Sequence, residues 1–284
     1  MTPSPKRPVL RYHGGKWILA KWIISYFPPH KIYTEVFGGA ASVLMQKRRS
    51  YAEIYNDKWD TVVNVFEVLR DPDLSKELKK QLELTPFSRT EFLKTGHIDL
   101  STIENKIEKA RLTIFRSFSG FGSAATNGKH ATGFRANSHR SGTTPAHDWV
   151  NYPTHIKSFV ERLKGVVIEN RDYKDVFSQH DSKETLHYVD PPYVHSTRNM
   201  KRGNAAYECE LTDQDQIELS ETLIRLEGMV VLSGYESDLY HNLYKDWHVI
   251  KKEAYADGAV NKTECLFLNE WAYLNQNQLK FNFR

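Results

Sequence analysis

Short apolar runs alternate along the chain with longer stretches of helical period. Residues 32–37 alternate and are rich in β-branched and aromatic side chains, which predicts a strand. Gly38 and Gly39 follow as a turn, and 40–47 resumes helical spacing. Residues 52–56 predict a second strand ending at Asp57, and 59–69 an amphipathic helix, so two strand–helix units stand in a row. Ahead of them, 17–26 has helical spacing directly after Gly14, Gly15 and Lys16, and is stopped by Pro28 and Pro29. Residues 74–114 are helical in pattern and heavily charged. A helix over 154–163 and a strand over 166–170 follow, with Asp172 just past the strand, and 187–190 is an apolar strand running into Pro191 and Pro192. Residues 211–226 predict a helix opened by Thr212 and Asp215 at capping-box spacing, with Asp where Glu or Gln is usual. A strand over 229–233, a short helix over 237–244 and a strand over 264–269 complete the pattern.

This alternation predicts a three-layer α/β domain. The polar, basic stretch 116–140 fits no doubly wound sheet, and 120–144, rich in Gly, Ser, Thr, Asn, His and Arg, reads as a long loop or irregular hairpin. The chain therefore divides into a main domain over 1–73 and 150–284 and an inserted module over 74–149. Its 284 residues suffice for that arrangement.

A net charge of +4 suits a polyanionic partner without requiring one. Two cysteines, Cys209 and Cys265, are too few for a disulfide framework or a cysteine-built zinc site, which points to reduced thiols in the cytoplasm and implies no metal. Residues 1–8 lack the apolar core of a signal peptide, and no stretch reaches the ~18 apolar residues of a spanning helix, so a soluble protein is expected.

Three clusters carry candidate chemistry. Phe37, Gly38 and Gly39 form a glycine turn after a strand, where a backbone without Cβ atoms can lie against a nucleoside; the same pair serves any strand–helix turn. Asp57 ends the next strand, where a carboxylate can accept from ribose hydroxyls or cap the following helix. Tyr12, Gly14, Gly15 and Lys16 combine a stacking face, a flexible turn and a cation, without the spacing of a phosphate-binding P-loop. The most specific signal is Asp190-Pro191-Pro192-Tyr193. Two prolines stiffen the turn and leave carbonyls outward as acceptors. An amine held there donates to the Asp190 carboxylate and to the Pro191 carbonyl, with Tyr193 stacked on its ring. An aromatic amine needs that arrangement, because its lone pair is delocalised until two acceptors draw the nitrogen toward tetrahedral character.

With Asp190 to Tyr193 downstream of Tyr12-His-Gly-Gly-Lys16 and Glu35-Val-Phe-Gly-Gly-Ala-Ala-Ser42, the chain resembles the Dam-type family of adenine-N6 DNA methyltransferases over about residues 10–269. The resemblance implies a Rossmann-like S-adenosylmethionine-dependent methyltransferase fold with an inserted target-recognition domain. It implies site-specific methylation of adenine N6 in double-stranded DNA by base flipping, catalysed by Asp190, Pro191, Pro192 and Tyr193. Contacts to S-adenosylmethionine are implied for Tyr12, Lys16, Phe37, Gly38, Gly39, Asp57, Asp172 and Asp190. Tyr207-Glu208, 232–235 and 263–266 match family core segments. Tyr12 stands where many relatives have Trp, and Val36 where Pro is commoner; both changes preserve the stacking face and the glycines.

An adenine taken from the duplex must be recompensed by protein contacts. Arg116, Asn127, Lys129, Arg135, Asn137, His139 and Arg140 supply cations for phosphates and polar groups for base edges, and Arg198, in the basic stretch 195–202, falls where a lid over DNA would lie. Competing readings are an adenine-N6 methyltransferase acting on RNA and an inactive DNA-binding relative. Glutamine and cytosine-N4 methyltransferases more often begin this turn with Asn or Ser, so Asp190 argues against both. A monomer and a homodimer are equally compatible with the sequence.

Overall fold

Strands form where short apolar or alternating runs meet a turn residue, and helices where amphipathic stretches lie between them. The computed structural model describes residues 4–12, 14–120, 133–137, 139, 142–194, 208–256 and 260–281. In chain order it has α1 (Ala20–Ile24), β1 (Ile32–Glu35), β2 (Ala52–Asn56), α2 (Asp60–Arg70), α3 (Pro72–Leu84), α4 (Arg89–Gly96) and α5 (Lys106–Ser119). Then come α6 (Pro145–Asn151), α7 (Ile156–Leu163), β3 (Val166–Glu169), α8 (Tyr173–His180), β4 (Thr185–Val189) and α9 (Asp213–Ile224). The last elements are β5 (Met229–Tyr235), α10 (Asp238–Leu243), β6 (His248–Ala256), β7 (Val260–Leu268) and α11 (Glu270–Phe281). None of the described helices is long and apolar enough to cross a membrane.

The chain forms two compact units. One comprises Met1–Trp17, Gly39–Gln46 and Trp59–Asn170, and the other Ile18–Gly38, Lys47–Lys58 and Arg171–Arg284. In the second, six strands run in the order β2-β1-β4-β5-β7-β6. β1 pairs in parallel with both β2 and β4, β4 in parallel with β5, and β7 antiparallel with β5 and β6. Every residue of β4 is buried, as befits a central parallel strand. His187 on β4 bonds Thr34 Oγ1 at 2.8 Å and Asp181 Oδ1 at 3.1 Å, which links β4 to β1 and to the turn before β5, whose Gly228 N–H also donates to Asp181. One apolar core gathers Val36, Ile54, Val189, Val230, Leu232 and Phe267 with side chains of α8, α9 and α10.

The first unit is mostly helical. Asp71 caps α3 by accepting from Asp73 and Leu74 N–H, and Asn105 caps α5. Phe87, Phe115, Phe118, Trp149 and Tyr152 form an aromatic core, with Trp149 Nε1–H donating to Thr85 O at 2.8 Å and Tyr152 O–H to Val9 O at 2.8 Å. Arg7 lies over the Phe118 and Tyr152 rings and pairs with Asp148, so the amino-terminal arm is part of this core.

Several predicted elements change. The helix expected over 17–26 narrows to α1, with turns before it. Residues 40–47 are successive turns rather than a helix: Ala41 has φ 52°, which breaks the helical path, and residues 40–45 are buried on all sides. α6, α8, α11 and β6 have no counterpart in the sequence reading, and β7 begins at Val260, four residues before the expected start. The Thr212–Asp215 capping box forms as read, with Asp215 accepting from Thr212 N–H at 2.8 Å.

Candidate active site

Within the sheet unit, β1 has β2 on one side and β4 on the other, so the strand order reverses between β1 and β4. Ligands of open α/β sheets bind outside the carboxyl ends of the strands at such a point. Phe37 and Gly38 follow β1, and Asp190 to Tyr193 follow β4.

The 190–193 turn is held from two sides. Gln216 Nε2–H on α9 donates to Pro192 O at 2.7 Å, and Tyr240 O–H on α10 donates to Gln216 Oε1 at 2.9 Å, which orients the amide. The Pro192 carbonyl is therefore engaged within the protein. Tyr193 is 5% exposed; its ring meets Tyr235 edge-on at 4.5 Å and its O–H donates to Glu264. Asp190 is half-buried.

Polar side chains cross one face of the sheet. Tyr33 and Glu35 on β1 share a phase, and Tyr33 O–H donates to Glu35 Oε2 at 2.7 Å. Glu35 lies opposite Tyr188 on β4, and Tyr235 on β5 lies opposite Glu264 on β7. Burial, reinforced by the carboxyl groups of Asp190, Glu35 and Glu264, pushes the Tyr188 phenol well above its ordinary range. Burial and then Glu264 do the same to Tyr193, so both stay protonated, and Tyr193 donates to Glu264. The face thus gathers carboxyl groups beside the turn.

Asn56 at the end of β2 fixes the neighbouring loops: its amide donates to Val36 O at 2.9 Å and Arg171 O at 3.2 Å, and its Oδ1 accepts from Arg171 N–H. Phe37 packs on Tyr173 at 5.5 Å. Gly38 N–H donates to Asn56 O at 2.8 Å, and a Cβ on Gly38 would lie 2.2 Å from the Tyr55 ring. Gly38→Ala is therefore expected to lower stability by about 1–3 kcal/mol, the usual cost of overpacking; an unchanged thermal midpoint would contradict the packing described. Asp57 is half-buried and stands two residues before Trp59, which occupies the N-cap position of α2 without a side-chain capping bond. Asp172 caps α8 by accepting from Lys174 N–H and pairs with Lys58 at 3.2 Å, both at the surface.

In the helical unit, Tyr12 O accepts from Gly15 N–H at 3.0 Å, closing a turn with Gly14 at φ 70°. Lys16 is buried, and its ammonium donates to Gly14 O at 2.7 Å. Gly39, at φ 46°, faces the Tyr12 ring so closely that a Cβ would lie 3.0 Å from it. Trp59 stands 6.3 Å from the same ring.

Of the expected DNA contacts, Arg116 requires correction. It is 2% exposed, and its guanidinium donates to the carbonyls of Thr95 and Ile98, tying α5 to the end of α4 instead of facing outward. Burial lowers its pKa to about 10. Arg135 is half-buried, with its backbone N–H on Ser119 O and its guanidinium on Phe118 O at 3.4 Å, while Asn137 and His139 are exposed, and Asn137 accepts from His139 N–H. Phe134, bridged to Gly120, packs on Phe87 and Phe92 and anchors this polar stretch to the aromatic core. Asn127, Lys129, Arg140, Arg198 and the remainder of 195–202 lie outside the described residues, as does Tyr207. Sequence reasoning missed Gln216 and Tyr240, which carry no local signal, and it marked 232–235 and 263–266 only as core segments.

A largely parallel sheet with a glycine turn after β1 and an Asp-Pro-Pro-Tyr turn after β4 defines a Rossmann-like methyltransferase fold. The chain belongs to the D12 class N6 adenine-specific DNA methyltransferase family, whose match spans residues 12–257. A search of curated proteins gives no match.

Proposed function

We propose that this chain transfers the methyl group of S-adenosylmethionine to N6 of an adenine rotated out of duplex DNA at a specific sequence. The observation that carries the reading is the 190–193 turn, rigid at Pro191 and Pro192, braced by Gln216, and placed at the carboxyl end of the central strand beside the switch point. The amine donates one hydrogen to the Asp190 carboxylate and the other to Pro191 O, and Tyr193 stacks on the purine. These contacts draw the nitrogen toward tetrahedral character, and no general base is required, because the proton leaves after transfer.

S-adenosylmethionine, when bound, supplies a methyl group on a positively charged sulfonium. The residues present fit it: Glu35, Asp190 and Glu264 concentrate carboxyl groups around Tyr188, and that negative field also favours the charge developing on N6. Tyr12, Lys16, Phe37, Gly38, Gly39, Asp57, Asp172 and Asp190 are the residues that would hold it. Asp172 would exchange its surface pairing with Lys58 for that role.

For DNA, we assign Arg135, Asn137, His139, Asn127, Lys129, Arg140 and Arg198, and leave Arg116 to its buried carbonyl contacts. Arg135→Ala should weaken duplex binding and reduce the salt slope of the affinity by about one, with affinity for S-adenosylmethionine unchanged. Unaltered duplex affinity in a titration at fixed salt would remove Arg135 from the set.

The whole reading is tested by incubating the chain with methyl-labelled S-adenosylmethionine and either duplex DNA or structured RNA, then digesting to nucleosides. N6-methyladenine from duplex DNA is expected. Label on cytosine, or on RNA alone, would overturn it.

A further inference from the structure

The tyrosine of the 190–193 turn is restrained by a residue beyond the segment that the family match covers, which ends at 257. Tyr193 O–H donates to Oε1 of Glu264, and Ser233 Oγ–H donates to the same oxygen at 3.3 Å. Glu264 is only 2% exposed. Burying a carboxylate is costly, and an apolar side chain would fill this position on β7 more cheaply unless the acceptor has a task. Its cross-strand partner is Tyr235, which packs edge-on against Tyr193, so two neighbouring positions of the β5–β7 ladder grip one ring. The ring edge alone leaves the tyrosine free to tilt, and the bond at its hydroxyl removes that freedom.

We propose that Glu264 is a positioning residue that fixes the ring of Tyr193 at the angle at which the target adenine stacks. It acts through Tyr193 on the chemical step, and binding of DNA or cofactor is little affected. The inference rests on the assignment of 190–193 given above. Burial and the Glu264 carboxylate both keep the phenol protonated, which fixes the direction of the bond from Tyr193 to Glu264.

The test uses the full chain, a duplex carrying the methylated site mapped for the wild type, and four variants: Glu264→Ala, Glu264→Gln, Tyr193→Phe and the Glu264→Ala/Tyr193→Phe double. Glu264→Ala and Tyr193→Phe should each lower kcat by about 10- to 100-fold, the scale of a misplaced reacting group, with KM for DNA nearly unchanged. The double variant should be no slower than the worse single variant, because both remove one interaction. Glu264→Gln keeps an acceptor in place and should recover to within about threefold of wild type, since a neutral acceptor bonds more weakly than a charged one. Independent, multiplying losses, or an unchanged kcat in folded Glu264→Ala, would overturn the proposal. Should Glu264→Ala melt early, Tyr193→Phe decides: an unchanged kcat there is equally fatal. A wild type that does not methylate adenine overturns the functional reading and this inference together, whereas a wild type that does so beside unaffected variants overturns this inference alone.

Discussion

Asp190→Ala is expected to slow methyl transfer to adenine by about 10²- to 10³-fold, the loss produced when one preorganised partner of a reacting group is removed. Asp190 stands one residue past β4 and is half-buried beside a face that carries Glu35 and Glu264. Removing its carboxylate leaves the amine with Pro191 O as its remaining acceptor and weakens the field that favours positive charge on nitrogen. Little stability should be lost, because the turn keeps both prolines and the Gln216 bond. The measurement is single-turnover incorporation of labelled methyl into duplex DNA, with a thermal melt to confirm folding. Transfer at the wild-type rate would exclude the mechanism.

Glu53→Ala should destabilise the chain by about 3–5 kcal/mol, the cost of leaving a buried charge without its counterion. Lys47 and Glu53 are both buried, and the ammonium donates to Glu53 Oε1 at 2.7 Å, Arg48 O at 2.7 Å and Ser50 Oγ at 2.8 Å. It also lies 4.3 Å from the centre of the Tyr33 ring. Lys47→Met should cost a similar amount by stranding Glu53. The double Lys47→Met/Glu53→Leu should recover most of the loss, because apolar residues of similar volume replace buried pairs at little cost. Urea unfolding of the three variants checks this; a double variant as unstable as the sum of the singles would show that the two side chains act independently and would contradict the pairing described.

Local pattern was sufficient for the strands that build the site. Residues 52–56 are β2 as predicted, and the apolar run before Pro191 is β4, because alternation or full burial over four or five residues ended by a turn residue has few other outcomes. The capping box at Thr212 was equally local. Residues 40–47 misled, since their apolar spacing fits a helix, whereas burial on all sides and the left-handed Ala41 produce turns. β6 was missed because its charged residues conceal a strand that exists through pairing with β7.

The distribution of positive charge was legible only as composition. Arg116 and Arg135 read alike in a basic stretch, yet Arg116 sits on the buried side of α5 and is consumed by two carbonyls, a distinction set by packing. Asp172 likewise reads as a strand-end acid and also serves as the cap of α8.

The sequence by itself determined that an Asp-Pro-Pro-Tyr segment follows an apolar strand, because residue identity and proline stiffness are local properties. Tertiary structure alone decided what holds that turn. Gln216, Tyr235, Tyr240 and Glu264 lie 24 to 71 residues from their partners in the chain, and only the tertiary fold brings them to one place.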